Sequence, residues 1–232
     1  MKFKDYTPKS VSDIVFANDR DQQLLMDIVY GKYPFPASGK NGILLYGVNG
    51  TGKSALAKLL PDAIESVKTG AVAYASFEEI EDGNNNSKII GRIRTQSDFV
   101  PLASNHYFVL DEVDNLNKTS MASLKSVMNA SGTIFIMTTN RFREIDNGVV
   151  DRCHCVPFNA APSAKWLPFA KKMLADNRIT TISDSALVSV IDSCNGSARK
   201  IIEGITRIIL EVQRNTDSST LVSDYVVLHD TK

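Results

Sequence analysis

Short apolar runs alternate with amphipathic stretches through the first two thirds of the chain. Four runs have the length and composition of buried strands; they are GILLY (42–46), AVAYAS (71–76), HYFVL (106–110) and TIFIM (133–137). Apolar residues recur at helical spacing in residues 19–30, which end before Gly31, and again in residues 53–64. The alternation predicts an α/β fold in which helices cover both faces of a parallel sheet.

The pattern changes after Phe158, where two prolines bracket a break. Amphipathic stretches then predict helices at 163–176, 184–194 and 198–214. Ser163 and Ser183 are candidate N-caps for the first two of these helices.

We therefore predict two domains with a boundary near Asn159. Residues 1–159 would form the α/β domain, and residues 160–232 a small all-helical lid domain with a C-terminal tail. In the tail, NTDSST at 215–220 predicts a loop, and the last twelve residues predict either a strand or a packed tail.

The composition is that of a globular protein, with 43% hydrophobic and 22% charged residues. Twenty-six basic residues balance twenty-six acidic ones, so any binding to nucleic acid must come from a local patch of charge. The first ten residues contain no apolar signal segment, and no apolar run reaches the roughly 18 residues of a membrane span. We expect a soluble, cytoplasmic protein without a membrane partner.

The chain has three cysteines, too few for a disulfide framework. Cys153 and Cys155 flank a histidine, but no second cluster has the spacing of a zinc site. We expect buried free thiols at these positions.

Residues 47–54, GVNGTGKS, match the phosphate-loop pattern G-x-x-x-x-G-K-[ST]. They follow an apolar run and open an amphipathic stretch, as the mechanism requires. Glycines let such a loop curl so that backbone N–H groups point at phosphates, at a helix N-terminus that favours anions. Lys53 would reach the β- and γ-phosphates of ATP, and the Ser54 hydroxyl would bind Mg²⁺. The predicted nucleotide-binding residues of the loop are Gly47, Val48, Asn49, Gly50, Thr51, Gly52, Lys53, Ser54 and Ala55.

Two carboxylates end the apolar run FVLDE, at the edge of the predicted sheet where ligands gather. Asp111 would bind Mg²⁺ through water, and Glu112 would polarise the attacking water as general base. Asn140, which ends TIFIMTTN, would orient that water from across the γ-phosphate. Together with Lys53, these residues predict hydrolysis of ATP.

The order of these motifs resembles that of AAA+ ATPases. Within that superfamily the chain is similar, at the level of motifs over residues 6–205, to the small subunits of DNA polymerase clamp loaders. Four stretches carry the resemblance: DYTPKSVSDIV, which in that family packs near the adenine, YASFEE with Ser76 at a strand end, DEVDNLNKTSMASLKSVMN and TTNRFREIDNGVVDRCHCVPF.

The resemblance assigns roles to two arginines. Arg152 would be the arginine finger that acts on ATP bound to a neighbouring subunit, and such a finger is worth about 10³–10⁵ in rate. Arg199, in GSARK, would be the sensor that contacts the γ-phosphate in its own subunit. Hydrolysis would then depend on assembly with copies of the chain or with related AAA+ subunits.

Three departures from the family pattern stand out. The finger lies in Asp151-Arg152-Cys153, whereas clamp loaders have Ser-Arg-Cys. Met121 replaces a glutamine that links the DNA and ATP sites in that family. The chain also ends before the third helical domain that forms the oligomerising collar. Either the sequence is a truncated form, or the protein assembles through its ATPase faces alone.

A candidate DNA contact follows the polar stretch EDGNNNS at 81–87, which predicts an exposed turn. The next stretch, SKIIGRIR, predicts a helix whose isoleucines pack inward, and Lys88 and Arg92 lie four residues apart on one face. In clamp loaders the corresponding region lines a central channel and contacts the duplex backbone, which needs only positioned cations. The alternative is a solvated helix face.

These features predict a Mg²⁺-dependent ATPase in DNA replication, a clamp-loader-like or helicase-loader-like oligomer that binds DNA with ATP and releases it on hydrolysis. A sliding clamp or a helicase would be a further partner. One alternative is a regulatory nucleotide switch, which binds DNA or only a protein partner. The other is a remodeller of protein substrates, which needs a pore loop with an exposed aromatic residue. Residues 81–97 offer none, and Phe99 has the sequence context of a core residue.

Overall fold

The fold, seen in a computed structural model that describes residues 4–81 and 86–214, alternates helices and strands. The strands are β1 (Gly42–Tyr46), β2 (Ala75–Glu79), β3 (His106–Asp111), β4 (Thr133–Thr139) and β5 (Cys153–Pro157). The helices are α1 (Asp19–Val29), α2 (Lys53–Thr69), α3 (Asn86–Ser97), α4 (Lys118–Val127), α5 (Asn147–Val150), α6 (Ser163–Asp176), α7 (Asp184–Ser193) and α8 (Ala198–Arg214). The strands form one parallel sheet in the order β2-β3-β4-β1-β5, which confirms the predicted sheet.

Alternate residues of the central strands face two different hydrophobic clusters, as the two-residue period of a strand requires. In β1, Ile43 and Leu45 pack with α1 and α2, while Leu44 packs with α3 and α4. Residues of β3 and β4 divide in the same way. Because both faces are covered, the middle positions of these strands are all apolar, which explains the continuous apolar runs in the sequence.

Helices α6, α7 and α8 surround a third hydrophobic cluster that includes Trp166, Leu187 and Ile205. Three residues of the N-terminal segment, Tyr6, Val15 and Ala17, pack against this cluster, and Phe16 belongs to the cluster of α1 and α2. The N-terminal segment therefore bridges the helical region and the sheet. The division into two domains near Asn159 stays a prediction.

Two strands differ from the sequence prediction. The second strand lies at 75–79 and not at 71–76. It is an edge strand, so its end can carry the charged residues Glu78 and Glu79, which a search for a continuous apolar run leaves out. Strand β5 was missed, because its sequence CHCVP contains a proline and one β-branched residue. An edge strand tolerates that proline.

Three helix predictions also need correction. Helix α2 continues to Thr69 instead of ending at residue 64. Helix α3 begins at Asn86, which is buried, so the end of the predicted exposed turn is helical; residues 82–85 of that turn lie outside the described residues. Pro162 occupies the N-cap of α6, so Ser163 is not the cap, whereas Ser183 does cap α7 through the N–H of Ala186. The predicted loop and tail at 215–232 lie outside the described residues as well.

Phe99 is not a core residue. Its exposed fraction is 68%, and those of Val100 and Leu102 are 88% and 82%. The three residues follow the end of α3, where the chain passes outside both clusters before it enters β3. In the described ranges, no helix has both the length and the apolar character needed to cross a membrane.

Candidate functional site

The phosphate loop joins the carboxyl end of β1 to the first residue of α2. Gly47 has a φ of +147°, a conformation that favours glycine. A Cβ at this position would lie 2.5 Å from the carbonyl oxygen of Phe158, which follows β5. The loop can therefore pass this close to the neighbouring chain only with glycine at position 47.

Lys53 is the seventh residue of the loop, and its side chain is buried within it. Its Nζ donates hydrogen bonds to the carbonyl oxygens of Gly47 (2.9 Å) and Val48 (2.7 Å). Burial lowers the pKa of Lys53, and the carboxylates of Asp111, Asp114 and Glu112 oppose that effect. The loop thus holds an ammonium group in the position where it can meet an anion.

Ser54 and Asp111 form the candidate magnesium site. The Ser54 Oγ donates a 2.9 Å hydrogen bond to Oδ1 of Asp111, and Thr138 donates to the same oxygen. Hydroxyl and carboxylate oxygens are the hard ligands that Mg²⁺ takes, usually together with waters and substrate phosphates. No cluster of three or more His, Cys, Asp or Glu side chains within the described ranges could hold a metal ion by itself. The donor set therefore fits an ion that shares its ligands with a nucleotide.

Glu112 has a left-handed backbone conformation, with φ 57° and ψ 49°. Such a conformation costs a non-glycine residue about 1–3 kcal/mol and is typical of functional sites. The Glu112 N–H donates to the Thr138 hydroxyl at 3.0 Å. The Glu112 carboxylate accepts a hydrogen bond from Nδ2 of Asn115 at 3.3 Å. Strand β4 thus holds the backbone of Glu112, and the turn after β3 contacts its carboxylate.

A cavity of about 490 Å³ is lined by most of these residues, although not by Asp111. Its lining includes residues 49–55 with Glu112, Asn140 and Arg199. The lining also includes side chains that the sequence did not single out individually; they are Tyr6, Ile14, Val15, Trp166, Phe169 and Ile202. The first three belong to the segment that resembles the adenine-side segment of clamp loaders. The other three lie on α6 and α8. Their spacing is that of core residues on a helix, so the sequence does not distinguish them as cavity residues.

Arg152 lies away from this cavity. Its carbonyl oxygen accepts hydrogen bonds from the N–H groups of Asn41 and Gly42, at the amino end of β1. The phosphate loop follows the carboxyl end of the same five-residue strand, roughly 13 Å away at 3.3 Å per residue. The guanidinium is held by the Asn129 side chain (3.0 Å) and the Gly148 carbonyl (2.7 Å).

Lys88 and Arg92, the predicted DNA contacts, are exposed on α3. Nη2 of Arg92 lies 3.0 Å from the carboxylate of Glu78, so this cation is partly neutralised. Neither residue lines the cavity. A contact between these residues and DNA stays a prediction.

The two cysteines that flank His154 differ in their surroundings. Cys153 is buried and its thiol donates to the carbonyl oxygen of Val149, while Cys155 is half-buried. Burial raises the pKa of both thiols. These environments keep both residues in the thiol form.

Comparison with known proteins gives both a sequence family and a set of similar folds. Residues 43–158 match the AAA family, described as the ATPase family associated with various cellular activities. DNA polymerase III subunit gamma/tau of Mycoplasma pneumoniae is 24% identical over 215 residues, covering 85% of this chain and 30% of that protein. The chain thus spans less than a third of the length of this relative.

Solved structures of variants of Thermotoga maritima RuvB have the same fold. One matches with a TM-score of 0.73 and 14% identity, covering 97% of this chain and 72% of that chain. A second matches with a TM-score of 0.72 and 14% identity, covering 92% and 68%. At this identity the likeness concerns the fold alone. The family match, in contrast, covers half of the 232 residues and contains both the phosphate loop and the Asp111–Glu112 pair. The chain therefore belongs to the AAA family of ATPases, as its motifs predicted.

Proposed function

We propose that the protein is a Mg²⁺-dependent ATPase that acts in DNA replication as a clamp-loader-like oligomer, binding DNA with ATP and releasing it on hydrolysis. The observation that carries the hydrolytic part is the 2.9 Å hydrogen bond between Ser54 and Asp111, with Glu112 next in the chain and lining the same cavity. The part in replication is supported by the similarity to a subunit of DNA polymerase III.

The loop and the cavity suit a nucleoside triphosphate. Phosphates would lie at the N-terminus of α2, where backbone N–H groups and the helix dipole favour anions. Lys53 would exchange the carbonyl oxygens of Gly47 and Val48 for phosphate oxygens. The adenine would lie beside the apolar side chains of Trp166 and Phe169, which line the cavity.

The remaining residues suit the hydrolytic step. Ser54 and Asp111 would hold Mg²⁺, which neutralises charge on the phosphates. Glu112 would accept the proton of the attacking water, and the Asn140 amide would orient that water. Arg199, on the first turn of α8, would donate to the γ-phosphate.

Arg152 would complete the site of a neighbouring subunit. It lies one strand length from the phosphate loop of its own chain, too far to contact phosphates bound there. Charge on the transferred phosphoryl group is stabilised by an arginine supplied in trans. Hydrolysis would therefore require assembly.

The proposal is tested with two variants and a control. Lys53→Ala should lose tight ATP binding, measured by fluorescence of Trp166, the protein's single tryptophan, which lines the cavity. Glu112→Gln should bind ATP normally and hydrolyse it very slowly, because an amide cannot accept the proton. Lys58→Ala, an exposed lysine on the same helix, is the matched control and should resemble the wild type. Wild-type affinity in Lys53→Ala or wild-type turnover in Glu112→Gln would refute the assignment.

A second candidate function is action on a protein partner. It is favoured by the exposed segment with Phe99, Val100 and Leu102, since exposed apolar segments are common at protein interaction sites. The measurement that separates the two is turnover with and without duplex DNA. Stimulation of turnover by DNA supports the replication proposal. Absence of stimulation, together with loss of binding to the protein partner in Phe99→Ala and Leu102→Ala, supports the second candidate.

A further inference from the structure

The side-chain amide of Asn115 uses both of its ends beside the proposed general base. Its Nδ2 donates to the carbonyl oxygen of Ile80 (2.8 Å) and to Oε2 of Glu112 (3.3 Å). Its Oδ1 accepts a 2.8 Å hydrogen bond from Nη2 of Arg141. One amide therefore connects the end of β2, the Glu112 carboxylate and the residue that follows Asn140.

Arg141 determines which way this amide points. A guanidinium has only donors, so it can meet only the oxygen end of the Asn115 side chain. The NH₂ end must then face Glu112, where its hydrogens match a carboxylate. With the amide reversed, an oxygen would face the carboxylate and repel it.

Arg141 is itself held firmly. Its Nε donates to Oδ2 of Asp114 at 2.8 Å, and the Asp114 side chain is only 4% exposed. Nη1 lies 3.4 Å from the Glu144 carboxylate. Because Arg141 directly follows Asn140, the same backbone segment would set both the water-orienting amide and the direction of the general base.

We propose that Asn115 and Arg141 are positioning residues for Glu112, Arg141 by orienting the Asn115 amide and Asn115 by donating to the carboxylate. The inference rests on the proposed function, in which Glu112 accepts the proton. Asn115 also links Glu112 to helix α3, because Nδ2 of Asn86, in the first turn of that helix, donates to the Asn115 carbonyl oxygen at 3.1 Å.

The test compares kcat with nucleotide affinity in the 232-residue chain. Asn115→Ala and Arg141→Ala should each lower kcat roughly ten- to a hundredfold, the range expected for a hydrogen bond to a charged group. ATP affinity, measured by Trp166 fluorescence, should stay at the wild-type value, because neither side chain lines the cavity. The double variant should be no slower than the slower single variant, since the two residues act in series.

Two further variants separate positioning from folding. Glu144→Ala removes the outer ion pair of Arg141 but leaves Asn115 untouched, so its kcat should match the wild type. Asn115→Asp keeps the shape and can still accept from Arg141, but it places a second carboxylate beside Glu112. Its kcat should fall as far as that of Asn115→Ala, and it carries the test if the alanine variant does not fold.

Unchanged or increased kcat in Asn115→Asp would overturn the inference, as would additive losses in the double variant. Loss of kcat and affinity together would also overturn it, because it indicates damage to the cavity. A failure of the proposed function is distinguished by Glu112→Gln, which would then turn over at the wild-type rate.

Discussion

The backbone N–H of Ala198 donates a 2.9 Å hydrogen bond to the carbonyl oxygen of Gly50, so the first turn of α8 rests on the phosphate loop. Arg199 is the next residue on that turn and lines the cavity. The helix that carries the proposed sensor is therefore attached to the loop that would hold the phosphates. A displacement of the loop by nucleotide would reach α8 directly.

Gly50→Ala tests this attachment. Gly50 has a φ of +79°, and a Cβ there would lie 2.8 Å from the Ser197 Oγ, just before α8. Backbone strain of about 1–2 kcal/mol and the displaced Ser197 should weaken ATP binding roughly tenfold, measured by Trp166 fluorescence.

The control is Gly70→Ala at the end of α2. Gly70 has a similar φ of +76°, but a Cβ there would meet nothing within 4 Å. This variant should lose about 1 kcal/mol of unfolding free energy and keep its affinity for ATP. Equal affinities in the two variants would show that α8 and the loop are not coupled.

A buried carboxylate on the far part of α2 predicts how stability depends on pH. Glu65 accepts hydrogen bonds from the Ser104 N–H and hydroxyl, the Thr69 hydroxyl and the Tyr107 hydroxyl. Burial alone would raise the pKa of Glu65, but these four donors outweigh it and lower the pKa to about 2. Because the folded-state pKa lies below the ordinary 4.5, ionised Glu65 stabilises the fold above that pH.

We expect this contribution, about 3 kcal/mol near pH 7, to disappear as the pH falls from about 4.5 to about 2. Glu65→Gln should therefore be less stable than the wild type in urea unfolding at neutral pH, and the difference should vanish near pH 2. Tyr107→Phe, which removes one donor, should cost only about 1 kcal/mol. A wild-type advantage that did not change with pH would contradict the assignment.

The sequence predicted the parts of the site that are contiguous in the chain. Gly47, Lys53 and Ser54 lie within one eight-residue motif, and Asp111 and Glu112 are adjacent, so their placement needs only a strand, a turn and a helix. The central strands were also predictable, because burial on both faces makes each of them continuously apolar.

The remaining parts depend on contacts between distant segments. The Asn115 amide that donates to Glu112 is contacted at its oxygen end by Arg141, which follows a different strand. Trp166 lines the cavity because α6 packs over the N-terminal segment, and nothing in its own helix distinguishes it from a core residue. The exposure of Phe99 follows from the path of the chain between α3 and β3, which its apolar character does not reveal.

The proposed DNA contact on α3 predicts unequal effects for its two cations. Lys88→Ala should weaken binding to any duplex sequence and flatten the plot of log affinity against log salt by about one unit, as expected for one lost phosphate contact. Arg92→Ala should have a smaller effect, because the ion pair with Glu78 already occupies this side chain.

Arg94 is the matched control, since it is exposed on the same helix about 200° around from Arg92. Filter-binding or anisotropy titrations at several salt concentrations give the slopes. If Lys88→Ala leaves the slope unchanged, or Arg94→Ala changes it equally, this face of α3 is only a solvated surface.

Arg152 and Lys53 lie at opposite ends of β1, and this arrangement predicts a shared active site. Arg152→Ala should bind ATP normally and hydrolyse it about 10³-fold or more slowly, the contribution of an arginine finger. Arg143→Ala, an exposed arginine in the same segment, is the control and should hydrolyse ATP like the wild type.

Mixing two inactive variants decides whether Arg152 acts in its own chain or on its neighbour. Arg152→Ala keeps Lys53, Asp111 and Glu112, whereas Glu112→Gln keeps Arg152. In a mixed oligomer, an Arg152→Ala subunit can offer its intact site to the arginine of a Glu112→Gln neighbour, so part of the turnover should return. Neither variant alone can form that pair, and an arginine acting within its own chain would give no rescue at any ratio. A mixture that stays inactive while size measurements detect mixed oligomers would therefore exclude the shared site.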